Sequence, residues 1–235
     1  SQRRGGVGKT AASVKQEDFV EQLIVANTHD TLLCFSNLGK VYWLKVYEIP
    51  QASRVAKGRP LVNLIQLDSE ERITSLLNVE SFDAAGFVFM ATMKGVVKKT
   101  PLEDFRLPRK NGKRAIKLDA KDELVGTKIT DGKQHIMLIS DAGKAVYFDE
   151  KDSRPLGRDT RGVKGIELED EQNVISLMVP GSEDEILTVS ENGFGKKSRI
   201  ADFRKTKRGA KGVIAMQLSE RNGTVSYTHL TLPTS

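Results

Sequence analysis

Four copies of one short pattern constrain this chain more than any other feature. An apolar run, a Ser or Thr, two free positions and a Gly recur at residues 36–39, 92–95, 140–143 and 190–193. Each Gly is followed by a second extended run: KVYWLK, VVKKT, KAVYF and FGKKS. Two β-forming runs joined by a polar, Gly-containing turn read as a β-hairpin, because Gly supplies the positive φ that tight hairpin turns need. A second marker keeps the same beat. Gly58, Gly112, Gly162 and Gly212 each follow a basic loop and precede an apolar stretch (PLVNLIQL, RAIKL, VKGIEL, VIAMQL) that passes through an acidic turn into another strand. The hairpin glycines step by 56, 48 and 50 residues and the second set by 54, 50 and 50. A period near 50 points to a propeller or solenoid, and one hairpin plus two strands makes a four-stranded unit, which favours a propeller blade over a helical repeat. The expected fold is all-β, with complete units at about residues 30–79, 86–130 and 134–179 and a fourth behind them.

Charge follows the same period. The net charge of +6 is by itself weak support for a polyanionic partner. Its distribution says more. The four segments 40–64, 94–117, 144–165 and 196–212, running from each hairpin turn to just past the second Gly, hold 28 of the 37 Lys and Arg but 8 of the 31 Asp and Glu. Units polarised alike and set side by side would build a continuous basic rim. Aromatic residues are sparse in these loops apart from the matched Phe105 and Phe203, which suit core or anchoring roles better than base stacking. Abundant cations with few stacking rings favour duplex over single-stranded nucleic acid.

Other chemistry is thin. Cys34, the single cysteine, lies in an apolar strand and reads as core packing in a reducing compartment. His29, His135 and His229 show no metal-ligand spacing, and no nucleophile elbow or Cys–His pair is present. No run approaches the roughly 18 apolar residues of a membrane span, and there is no signal-peptide pattern, so a soluble protein without a membrane partner is expected.

The opening residues SQRRGGVGKTAAS contain RGGVGKT, which looks like the deviant phosphate loop of partition-type ATPases. That loop needs an apolar strand before its glycines, and Arg4 stands where its first Lys belongs. Gly8 instead lies 50 residues before Gly58, on the repeat period, as the basic loop of an earlier unit would. These same residues, Gln2, Arg3, Arg4, Gly5, Gly6, Val7 and Gly8, resemble the heptapeptide box that opens the C-terminal domain of the bacterial DNA gyrase A subunit. The resemblance continues through DFVEQLIVANTHDTLLCFSNLGKVY, KGRPLVNLIQL, GVVKKT, TRGVKGI and AKGVI to SERNG, covering residues 1 to about 223. One departure stands out: the sixth box position, usually basic, is Val7, and Lys9 is placed to supply the charge.

The resemblance implies a six-bladed β-pinwheel, a propeller-like disc, of which residues 1–223 hold the end of blade one, blades two to four and most of blade five. The disc would then be truncated at both ends. It implies a DNA-wrapping domain that bends duplex DNA around its basic rim so that a type II topoisomerase introduces negative supercoils. The DNA-binding residues expected are the box (Gln2, Arg3, Arg4, Gly5, Gly6, Gly8, Lys9) and a rim. The rim comprises Arg54, Lys57, Arg59, Lys98, Lys99, Arg109, Lys110, Lys113, Arg114, Arg158, Arg161, Lys164, Lys196, Lys197, Arg199, Lys205, Lys207, Arg208 and Lys211. The resemblance also implies partners, a gyrase B subunit together with a second copy of the gyrase A polypeptide, and a bacterial, nucleoid-associated cytoplasmic setting. ATP and Mg would serve the whole enzyme; this segment carries neither cofactor site, cleaving tyrosine nor metal site. Two alternatives stay open: the topoisomerase IV C-terminal domain, which lacks an intact box, and a propeller that binds an acidic protein. Residues 224–235, TVSYTHLTLPTS, match no repeat and look like a translated sequencing adapter, so they are expected to stand outside the fold as a non-native tail.

Overall fold

In the computed structural model, residues 22–53, 58 and 60–231 are described. Four repeating units account for all their strands. Unit 1 contains β1 (Thr31–Ser36), β2 (Lys40–Lys45) and β3 (Ile73–Val79). Unit 2 contains β4 (Phe87–Thr92), β5 (Val96–Pro101), β6 (Lys113–Arg114) and β7 (Leu124–Thr130). Unit 3 contains β8 (His135–Ser140), β9 (Lys144–Asp149), β10 (Val163–Lys164) and β11 (Val174–Met178). Unit 4 contains β12 (Glu185–Ser190), β13 (Gly195–Arg199), β14 (Val213–Ile214) and β15 (Val225–Thr231).

The four hairpins form as expected, but in the three four-stranded sheets one outer strand does not come from the sheet's own unit. The sheet orders are β3-β1-β2-β6, β10-β5-β4-β7, β11-β8-β9-β14 and β13-β12-β15. Thus β6 of unit 2 completes the sheet of unit 1, β10 of unit 3 completes that of unit 2, and β14 of unit 4 completes that of unit 3. These added strands are two residues long, far shorter than the apolar stretches suggested. The chain aligns with its neighbour only at Lys40↔Arg114 and Val41↔Lys113, and then Ala115 and Ile116 dive into the core. In unit 1 the stretch after Gly58 includes a 3-10 turn at Leu61–Asn63 and no strand among the described residues.

The hairpin glycines explain why the joint is so close. Gly143 has φ +71°, and a Cβ on it would lie 2.4 Å from the Met216 carbonyl of unit 4, so the turn also serves as the floor over which the next unit passes. The backbone stitches there repeat: Ala115 N–H donates to the Gly39 carbonyl at 2.8 Å, Gly165 to Gly95 at 2.7 Å, and Ala215 to Gly143 at 2.8 Å.

Because strand side chains alternate faces, the hairpins of units 1 to 3 each feed two cores, one on either side. Val88 and Met90 of β4 pack with Leu33, Phe35 and Leu77 of unit 1, whereas Phe89 and Ala91 pack with Ile136, Leu138 and Phe148 of unit 3. Met137 and Ile139 then face Ile186 and Phe203 of unit 4. Each fully buried residue of this size contributes roughly 1.5–3 kcal/mol, and three of the four buried clusters join residues of neighbouring units. Cys34 is buried against Leu32 and Leu44, and burial pushes its thiol up to about 12, so it is an unreactive core residue. Phe105 meets Phe35 edge-on at 5.9 Å and Phe203 is likewise buried, as core anchors.

Strands β3, β7, β11 and β15 pack against one another at one edge of the successive sheets, leaving β6, β10 and β14 at the opposite edge. Residues 225–231, expected outside the fold, form β15. They pair along β12 with a register shift at Val189/Ser190 that matches those at Phe35/Ser36 and Ala91/Thr92. Thr, Val and Tyr are good strand formers, and the open edge of β12 accepts such a segment through main-chain bonds.

Candidate nucleic-acid interface

In units 2 to 4 the basic loops connect the hairpin to the short strand that is added to the preceding sheet. They therefore emerge at the edge remote from β3, β7, β11 and β15. Arg109, Lys110, Arg114, Arg161, Lys164, Lys196, Lys197, Arg199, Lys205, Lys207 and Lys211 are exposed, and Lys113, Arg158 and Arg208 are half-buried. Several have acidic neighbours: Arg161 reaches Asp119 at 2.8 Å, Lys197 reaches Glu185 at 2.5 Å and Arg199 reaches Asp202 at 3.2 Å. Exposed pairs of this kind are worth about 0–1 kcal/mol, so these cations can exchange partners with an incoming anion. The box at residues 2–9 and Arg54, Lys57 and Arg59 lie outside the described residues.

Lys98 and Lys99 are corrections to the expected rim. They are 0% and 4% exposed. The Lys98 ammonium donates to the carbonyls of Ala115 (2.8 Å), Arg158 (2.5 Å) and Thr160 (3.2 Å), tying β5 to its own loop and to the loop of unit 3. Burial lowers its pKa to about 8, with Asp159 and Asp104 opposing the shift and Arg158 adding to it. Lys99 points to the other side, donating to the Glu150 carbonyl at 3.0 Å and lying 4.9 Å from the centre of the Phe87 ring. The Glu150 carboxylate is itself held by Thr130 Oγ1 and Gln134 N–H, both at 2.8 Å. Both lysines act as staples between units 2 and 3.

Arg204 is absent from the expected rim but belongs with it. It lines a concavity of about 540 Å³ with Lys196, Lys197 and Arg199, beside Glu185 and Asp202. Its position within the basic segment 196–212 was the available signal. A second concavity, of about 270 Å³, is bounded by Arg109, Gly112, Lys113, Arg114, Arg158 and Asp159. Gly112 is required there because a Cβ would meet the Tyr42 ring at 2.7 Å. Desolvation, then the neighbouring Arg158 and Arg109, lowers the pKa of Lys113. Among the described residues no cluster of three potential metal ligands occurs, and no helix is long and apolar enough to cross a membrane.

The family model described as "DNA gyrase C-terminal domain, beta-propeller" matches residues 1–27, 30–80, 86–131, 134–180 and 184–230, one segment per unit plus the partial unit at the start. The chain belongs to this DNA gyrase C-terminal domain family. Its units are the blades of that family's propeller, of the β-pinwheel kind in which neighbours exchange short strands. The chain is 50% identical over 225 residues to the DNA gyrase A polypeptide of Klebsiella oxytoca and, over the same length, 50% identical to that of Escherichia coli K12. Each alignment covers 96% of this chain and 26% of the relative, so the chain spans about a quarter of the length of these gyrase A polypeptides. Among solved structures, the C-terminal domain of DNA topoisomerase IV superposes with a TM-score of 0.84 at 27% identity, covering 94% of this chain and 69% of that one. A DNA gyrase A C-terminal domain superposes at 0.76, also 27% identical, covering 95% and 73%.

Proposed function

We propose that this chain is the DNA-binding and DNA-wrapping domain of a bacterial gyrase A polypeptide, bending duplex DNA around the edge where the basic loops emerge. The observation that carries this reading is the repeated delivery of basic residues to the outer edge of successive sheets, by the same loops that stitch the units together. Arg and Lys contacts to phosphate position a duplex without reading its sequence. Bending a 20–30 bp site by 40–90° costs about 1–6 kcal/mol, so many moderate contacts spread over several units serve better than one strong one. Within the whole enzyme, the wrap would set the handedness of a DNA crossing that the catalytic core turns into negative supercoils. That reaction would use ATP and Mg with the gyrase B polypeptide and a second copy of gyrase A, in the bacterial cytoplasm.

The test is the affinity of the chain for duplex DNA as a function of salt, with circular dichroism on the same sample. A wrapper neutralising Z phosphates gives log K falling with log salt at a slope of about −0.9Z. A steep slope on a folded sample is expected. A flat, weak response from a folded sample would turn the reading toward an acidic protein partner.

The structural likeness to the topoisomerase IV domain supports a second reading, the C-terminal DNA-binding domain of a topoisomerase IV. The QRRGGVG box favours gyrase. Replacing Arg3 and Arg4 by Ala in the full-length protein separates the two: the gyrase reading makes the change in DNA topology depend on the box, whereas the topoisomerase IV reading does not.

A further inference from the structure

The expected rim is uniform, but the cations at the unit joints are not evenly shared. Where units 1, 2 and 3 meet, the 270 Å³ concavity gathers Arg109 from the unit 2 loop, Lys113 and Arg114 from β6, and Arg158 from the unit 3 loop, with Asp159 as its acidic lining residue. Strand β6 is hydrogen-bonded to β2, so Lys113 and Arg114 are carried on the sheet of unit 1. The Arg158 guanidinium reaches the Arg114 carbonyl at 3.4 Å, and beneath them Lys98 grips the carbonyls of Ala115 and Arg158. One period later the positions of Arg109, Lys113, Arg114 and Arg158 are taken by Asp159, Val163, Lys164 and Arg208. There the Arg208 guanidinium is engaged by the Lys164 and Asp152 carbonyls. The repeat therefore places four cations at the first joint and two at the next.

We propose that the concavity formed by Arg109, Lys113, Arg114 and Arg158 is a discrete phosphate seat, which holds a backbone phosphate of the duplex at the joint of units 1, 2 and 3. This inference rests on the DNA-binding reading and deepens it. Four cations confined with one carboxylate repel each other, and the lowered pKa of Lys113 reflects that crowding as well as desolvation. A phosphate relieves the repulsion, and its oxygens suit the planar forks of three arginines. Because the seat draws on three units, a phosphate bound there clamps their relative positions. The molecule also carries a reporter. Lys113 Nζ lies 5.7 Å from the ring centre of Trp43, the sole tryptophan, whose Nε1–H is fixed on the Phe105 carbonyl at 2.7 Å. An anion that draws Lys113 away alters the field on that ring.

The experiment compares the unaltered chain, Arg109→Gln with Arg158→Gln, and a charge-matched control, Lys128→Gln with Lys133→Gln, which changes exposed residues of β7 and the turn after it. Neither test side chain is buried, and unchanged thermal unfolding confirms the fold of each variant. Duplex affinity is measured against salt, and Trp43 emission is followed during titration with duplex and, separately, with inorganic pyrophosphate. The seat predicts about a tenfold loss of duplex affinity in the Arg109/Arg158 variant and a salt slope shallower by about 1, the loss of one phosphate contact. The control loses about twofold or less. It also predicts an emission change in the unaltered chain that the Arg109/Arg158 variant lacks. If that variant and the control behave alike, the seat is overturned while the DNA reading stands. If the chain binds no duplex but pyrophosphate still moves Trp43 in an arginine-dependent way, the DNA reading falls and the seat remains as a site for a small polyphosphate. If neither ligand binds, both fall.

Discussion

Raising the pH from 8 to 9 should stabilise this fold through Lys98. Burial holds its pKa near 8, below the 10.5 of an ordinary lysine. Between these values the unfolded chain binds more protons than the folded one, so stability rises with pH; below 8 the residue is charged in both states and its contribution is flat. From pH 9 upward the buried Cys34 thiol, raised to about 12, keeps a proton that the unfolded chain loses and acts in the opposite sense; above 10 the buried Tyr42 phenol, whose hydroxyl donates to Glu71 at 2.6 Å and whose pKa is raised, adds to it, so the window closes near 9. Urea midpoints measured at intervals across pH 8–9 should climb for the unaltered chain and less steeply for Lys98→Met; parallel curves would refute the assignment. A pair of glycines makes a second residue-scale test. Gly143 and Gly193 have similar φ, +71° and +79°, but a Cβ meets backbone only at Gly143. Gly193→Ala should cost about 1 kcal/mol for the left-handed conformation, and Gly143→Ala roughly 3 kcal/mol once the clash is added. Equal losses in denaturant titrations would mean that the turn conformation alone is at stake. The turn role of these glycines was legible in the sequence. The buried state of Lys98 and Lys99 was not, because KK in a basic stretch reads the same whether or not a neighbouring unit covers it.

Among the elements, the hairpins were legible because alternation and a turn glycine are local signals, readable within about a dozen residues. The two-residue strands β6, β10 and β14 were not, because they exist only through pairing with a hairpin of another unit. Strand β15 gives the test at this scale. It covers one edge of β12, and Val225 N–H donates to the Asp141 carbonyl of unit 3 at 2.8 Å. Deleting residues 224–235 should abolish amide-exchange protection in β12 and β13 while leaving β4 and β8 protected, since units unfold as semi-independent blocks. Unchanged protection in β12 would show that unit 4 holds together without this strand.

For the whole molecule, the proposed wrapping role predicts that affinity and wrapping are separable. Arg3→Ala with Arg4→Ala in full-length gyrase A should leave much duplex binding intact, because most of the basic charge lies elsewhere, yet should abolish the topological shift trapped when a nicked circle is ligated on the protein. An unchanged shift would remove the box from the wrapping mechanism. The sequence alone determined the period of about 50 residues, the all-β class, the four hairpins and the segregation of basic residues into one loop of each unit. These follow from side-chain alternation, glycine geometry and counting, none of which needs a distant partner. The tertiary structure decided which unit completes which sheet, which lysines are staples rather than surface charges, and where four cations converge into one seat. Those features depend on contacts such as Lys98 to Arg158, 60 residues apart, and distance along the chain carries no record of which backbone carbonyl a buried ammonium will find.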